Sequence, residues 1–249
     1  MICPKCTFEQ SDQNMECNKC GIIFEKYLRY QRSGPSTEAL SAEYKKDKES
    51  KWTYLKNLIF YTKPETNPII FSSRVVFYII IFIWGIKFII TPLETNYIGE
   101  TIWHNINLPF HEAGHVIFRP FGAFITSLGG RLAQLLIPFI CIFVFLLKTR
   151  DTFAASFGLW WFGENFMDLA PYINDARSGT LPLLGGNTGA TSPYGFHDWE
   201  FILNESGLLR YDHIIANISY KIGTIIMIIS FIWGGYLLFK NYKIIRESS

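Results

Sequence analysis

The chain has 249 residues, of which 49% are hydrophobic, 17% aromatic and only 18% charged, with a mean hydropathy of +0.16. A formal net charge of +2 leaves no global electrostatic footprint for nucleic acid. The average hides a split: residues 1–67 are polar and charge-rich, whereas 68–240 consist largely of apolar runs of membrane-spanning length, which argues against a soluble globular domain.

Four of the five cysteines fall as Cys3-Pro-Lys-Cys6 and Cys17-Asn-Lys-Cys20. Two such knuckles supply four thiolates for one tetrahedral zinc ion, and Gly21 suits the tight turn that closes the second. Paired disulfides are the alternative. The arrangement resembles the short zinc ribbons at the start of many prokaryotic proteins, and reduced, metal-bound thiols imply a cytoplasmic N-terminus. No apolar signal-peptide core is present in the first 25 residues. Around the knuckles Lys5, Lys19, Lys26, Arg29 and Arg32 are balanced by Glu9, Asp12, Glu16 and Glu25. That balance points away from nucleic acid; a regulatory protein is the expected partner of the ribbon. Cys141, alone in an apolar run, reads as a packing residue.

Residues 26–67 form a charged linker, in which Trp52, Tyr54, Leu55, Leu58, Ile59 and Phe60 among lysines suggest a stretch lying on the membrane surface; a solvated linker helix reads equally well. The membrane domain covers 68–249. Its spans are expected at about 69–90, 132–147, 152–170 and 214–239, with a motif-bearing helix at 101–118. Residues 121–130, apolar but Gly-rich, fit a re-entrant turn, and Pro171 is expected to end or bend the third span. Basic residues before the first span, at 148–150 and at 240–246 belong on one side by the positive-inside rule. The expected protein is therefore an all-α polytopic membrane protein, with about four spans, an embedded motif helix and a small N-terminal zinc ribbon. Both termini are expected in the cytoplasm, the bilayer being a prokaryotic cytoplasmic membrane. Arg119 and Arg131 fit this topology less well, and the motif helix can also be drawn as a full crossing with 120–130 returning.

That motif is His111-Glu112-Ala113-Gly114-His115. On a helix, residues four apart share a face, so His111 and His115 present two imidazoles to one metal ion with Glu112 beside it as a base. Catalytic zinc needs a third protein ligand, and polar residues inside an apolar region mark where to seek it. Glu164, Asp168 and Asp175 stand four and seven residues apart, on one helical stripe. His197, before a short helix expected at 198–206, is a further candidate, with Asp198 read as the helix N-cap.

The motif on one membrane helix, followed by an Asn, Pro and Asp element on a later one, resembles the site-2 protease class of intramembrane zinc metalloproteases. The resemblance covers about residues 100–180. It implies His111, His115 and Asp175 as ligands of a catalytic zinc, Glu112 as general base and Asn165 as an amide holding substrate or oxyanion. Asn174-Asp175-Ala176 stands where the class has Leu-Asp-Gly. Glu164-x-x-x-Asp168 is similar instead to the element of thermolysin-like enzymes in which the glutamate binds zinc and the aspartate orients a histidine. The implied activity is a metalloendopeptidase using two zinc ions, one catalytic and one structural, on a membrane protein or peptide. A non-proteolytic metal-binding sensor, transporter or scaffold is the alternative from another class.

Overall fold

The computed structural model describes residues 1–33, 50–62, 67–192 and 197–248. It is all-helical, 76% helix, with no strand among the described residues, and it divides into two compact units, Met1–Leu55 and Lys56–Ser249.

In the first unit the two knuckles repeat one hydrogen-bond pattern. Cys3 N–H donates to the Phe8 carbonyl and Cys17 N–H to the Ile22 carbonyl, both at 2.9 Å. Each knuckle turns on one residue in the left-handed region, Thr7 in the first and Gly21 in the second. Isolated bridges Ile2–Glu9 and Glu16–Ile23 hold the flanks, and Cys3, Cys17 and Phe24 form a small buried cluster. Helix α1, Phe24–Ser33, follows, and residues 50–60 form α2. Trp52, Tyr54 and Leu55 on α2 are exposed.

The second unit is a helical bundle. Asn67 caps α3, Pro68–Ile90, by accepting from Ile69 N–H at 2.9 Å, and Pro68 takes the first helical position, where its missing N–H costs nothing. Helix α4, Ile102–Phe118, carries the motif. Helix α5 runs Ala123–Phe143 and widens into a π-helical segment at Val144–Thr149. Asp151 caps α6, Thr152–Asn174, through Ala154 N–H. Helix α7 is Asp198–Glu205 and α8 is Asp212–Ser248.

Three helical segments are long and apolar enough to cross a membrane: Pro68–Ile90, Ala123–Thr149 and Leu209–Glu247. Their outer faces expose Ile69, Ile83, Ile90, Leu136, Ile225 and Ile232, the surface a bilayer covers and water does not. The remaining expected span, α6, has the length, but Glu164, Asn165 and Asp168 lower its hydropathy. Most of its side chains are buried. It lies against α8 at a glycine pair, where a Cβ on Gly223 would come within 2.5 Å of the Gly163 carbonyl oxygen. Around this crossing Trp103, Trp160, Phe88, Met167, Met227 and Phe231 form the main core.

Two local expectations change. Gly129 and Gly130 lie inside α5 and not in a re-entrant turn. The absent side chain at Gly114 lets α4 meet α5, since a Cβ there would stand 2.3 Å from the Gly129 carbonyl oxygen. Nor does Pro171 end α6, which continues to Asn174. The proline lies within the last turn, where only one intrahelical bond is lost.

Candidate metal centre

Helix α4 places His111 and His115 one turn apart, and their Nε2 atoms stand 2.9 Å from each other. The His115 Nδ1–H donates to the Thr126 carbonyl at 2.8 Å, which turns the Nε2 lone pair into the site. Facing both is Asp198, the first residue of α7. Its Oδ2 is 3.4 Å from His111 Nε2 and 3.1 Å from His115 Nε2. A small tetrahedral ion with ligand bonds of about 2.0–2.1 Å sets its donors about 3.4 Å apart; the separations here, 2.9, 3.1 and 3.4 Å, reach that value or fall short of it by up to 0.5 Å. Gly130 makes room for the rings: a Cβ there would stand 2.6 Å from His115 Nε2 and 2.7 Å from His111 Cε1. Burial alone would raise the Asp198 carboxyl, but hydrogen bonds from His111 and His115 and the charge of Arg131 hold it far below the usual carboxylate range.

The group opens into a cavity of about 640 Å3, whose wall includes His104, Glu112, Arg131, Asp168, Tyr172 and the hairpin around Leu184. Glu112 is half-buried on that wall, beside the pair.

The structure does not bring Asp175 to this point. Asp175 ends α6 and closes the following loop: Oδ1 accepts from Ser178 Oγ at 2.5 Å, Thr180 Oγ1 at 2.7 Å and Thr180 N–H at 3.0 Å, and Oδ2 from Leu181 N–H at 2.8 Å. Burial pushes this carboxyl up, but the Ser178, Leu181 and Thr180 bonds prevail and bring it below its ordinary value. The Asp175 carbonyl accepts from His197 Nε2–H at 3.3 Å. His197 in turn is the N-cap of α7, its Nδ1 accepting from Glu200 N–H at 3.4 Å. Asp175 and His197 therefore anchor the element that carries Asp198, without facing the histidines themselves.

Glu164 and Asp168 also turn elsewhere. Asn107 Nδ2 donates to Glu164 Oε2 at 3.0 Å and Asp168 Oδ2 at 3.2 Å. Gln134 Nε2 donates to Asp168 Oδ2 at 2.7 Å, and His104 Nδ1–H to Asp168 Oδ1 at 2.9 Å. Asn165 is fully buried in the same network, donating to the Trp161 carbonyl and to Asn107 Oδ1, and it does not line the cavity. The carboxylate stripe thus fastens α6 to the polar inner face of α4.

The first unit holds the second candidate group, Cys3, Cys6, Cys17 and Cys20. Cys3 and Cys20 sulfurs are 3.7 Å apart, and Cys6 and Cys17 3.6 Å. A tetrahedral ion with bonds of about 2.3 Å to sulfur requires about 3.8 Å. Such spacing is far beyond a disulfide bond, and all five cysteines are free. Burial would raise the Cys17 thiol, but backbone N–H groups of Cys20 and Lys19 turned onto the sulfur bring it down to about 6.

Asp198, Arg131 and Gly130 complete the histidine site, and only tertiary contact assembles them. A charged residue inside the apolar run of α5 is the one sequence sign of Arg131. No family model, curated protein or solved structure matches the chain.

Proposed function

We propose that the protein is a zinc-dependent intramembrane endopeptidase whose catalytic ion is held by His111, His115 and Asp198. The observation that carries this reading is the convergence of those three donors at the wall of a cavity that Glu112 shares. The motif's resemblance to the site-2 protease class supports it, as do the apolar outer faces of the bundle. A zinc ion at these donors supplies Lewis acidity, lowering the pKa of a water and polarising a carbonyl.

Glu112, on the cavity wall, would accept one proton from an attacking water as the water oxygen bonds to the peptide carbonyl carbon. It then delivers the proton to the leaving nitrogen as the C–N bond breaks, leaving a carboxylic acid and an amine. His115 keeps its ring orientation through Thr126. A helical substrate hides its carbonyls in its own hydrogen bonds, so the scissile segment enters unwound. Membrane proteins or peptides with a helix-breaking segment are accordingly the substrate class. The four-cysteine group is a structural zinc ribbon that docks a regulatory protein.

Glu112→Gln tests the reading. Purified protein should keep its metal while hydrolysis of a reporter membrane peptide falls by about 10²–10⁴. A Gln variant with full activity would sink the proposal in favour of a non-proteolytic metal-binding role.

A further inference from the structure

Arg131 is the one charged residue of α5, 11% exposed at its side chain. Among the described residues its one hydrogen bond is a long one, Nη2 to Asp198 Oδ2 at 3.4 Å, and its buried Nε has no partner. A guanidinium carries five N–H donors, so most of its capacity is unspent. Its plane lies within 6 Å of two ring centres, Tyr172 at 5.8 Å and Trp199 at 5.9 Å, which hold it against the cavity. The charged groups facing it are Asp198, Asp168 and Glu112. Asp168 is already satisfied by His104, Asn107 and Gln134. Asp198 divides its charge between Arg131 and whatever cation the two histidines hold.

A buried cation next to a dication is stable only if negative charge is present or arrives. In peptide hydrolysis negative charge arrives at one place. When the water oxygen bonds to the carbonyl carbon, the C=O π pair moves onto oxygen, and it returns to re-form C=O when the C–N bond breaks. The amide that the family resemblance assigns to this duty, Asn165, is buried in the α4–α6 network, away from the cavity.

We infer that Arg131 is the catalytic residue that donates to the scissile carbonyl oxygen as that charge develops. The inference rests on the endopeptidase reading above. A preorganised donor of this kind matters in the transition state and hardly at all in the ground state.

Arg131→Gln and Arg131→Lys, in the full-length protein, test it against a phosphinic peptide, whose tetrahedral anionic oxygen mimics the developing charge, and against the same peptide with an ordinary amide. The expected result is a kcat lower by about 10²–10³ in the Gln variant, KM and metal content near wild type, and phosphinic-peptide affinity reduced in step with kcat. Amide-peptide affinity should hold. The Lys variant keeps the charge but loses the fork, so it should fall between; if the Gln variant does not fold, the Lys variant alone should still lose kcat and phosphinic affinity together. Unchanged phosphinic affinity in a variant that binds metal overturns the inference, whatever happens to activity. Failure of the endopeptidase reading is distinguishable, since it appears in the wild type as absence of turnover, and it removes this inference with it.

Discussion

Replacing Gly130 by alanine places a single methyl group where the two motif histidines now stand. The added Cβ would be 2.6 Å from His115 Nε2 and 2.7 Å from His111 Cε1, where ordinary contact begins at 3.4 Å. The rings must therefore retreat by 3.4 − 2.6, or 0.8 Å, and 3.4 − 2.7, or 0.7 Å. Metal sites tolerate donor displacements of about 0.2 Å, so the shift exceeds the tolerance several-fold. Site-metal affinity is expected to fall at least about 10–100-fold. The fold itself should survive. Alanine gains about 1 kcal/mol over glycine in a helix, against about 1–3 kcal/mol for overpacking, a net cost of about 1 kcal/mol. Metal per chain, measured with a graded chelator in detergent-purified protein, should drop from two, one for each candidate group, to the ribbon ion alone. Gly158→Ala is the control: its Cβ meets only Ile142, at 3.1 Å or more, and both ions should remain. A Gly130→Ala protein with two ions at wild-type affinity would refute the placement of the site.

Asp198→Asn should lose the site ion and retain the ribbon ion, whereas Asp175→Asn should keep both while unfolding more easily by about 1–3 kcal/mol at neutral pH. That second cost depends on pH. A carboxyl whose folded pKa lies below its ordinary 3.8 stabilises fully above that value and loses its contribution as pH falls through the folded one. The difference between wild type and Asp175→Asn in chemical denaturation should thus vanish on strong acidification. Asn107→Ala removes the donor shared by Glu164 and Asp168 and the acceptor of Trp161 Nε1–H. Thermal unfolding should report a loss of about 3 kcal/mol or more, larger than for any exposed polar residue of α4. Cys6→Ser should release the ribbon ion only, leaving peptide hydrolysis intact in detergent.

Much of the architecture is legible along the chain, because helix formation and membrane partition are governed by runs of neighbouring residues. The three spans, the motif helix and the four-cysteine cluster are of this kind. What escapes is set by approach between distant segments. Asp198 has the look of an N-cap because it begins a short polar helix; the cap is one residue earlier, at His197, and that single step turns Asp198 inward to the histidines. Asp175 follows a proline as the family pattern asks, yet Ser178, Thr180 and Leu181 lie close enough in sequence to occupy its oxygens first. Gly129 and Gly130 read as chain-breakers, whereas their function is space, which only the opposing helix reveals. The polarity of Trp103–Asn107 predicts enclosure, which holds at Trp103 and Asn107 while Asn105 and Ile106 stay exposed, and it carries no information on which helix provides it.

The hydrogen bonds that join Asn107 to Glu164 and Asp168 also constrain the order in which the bundle can close. Helix α4 carries His104 and Asn107 on its inner face, and the carboxylates that bond them, Glu164 and Asp168, are synthesised some sixty residues later, on α6. Burial of the two polar faces is consequently a joint event. A nascent chain stopped after α5 therefore carries Asn107 without the carboxylates that accept from it in the finished bundle.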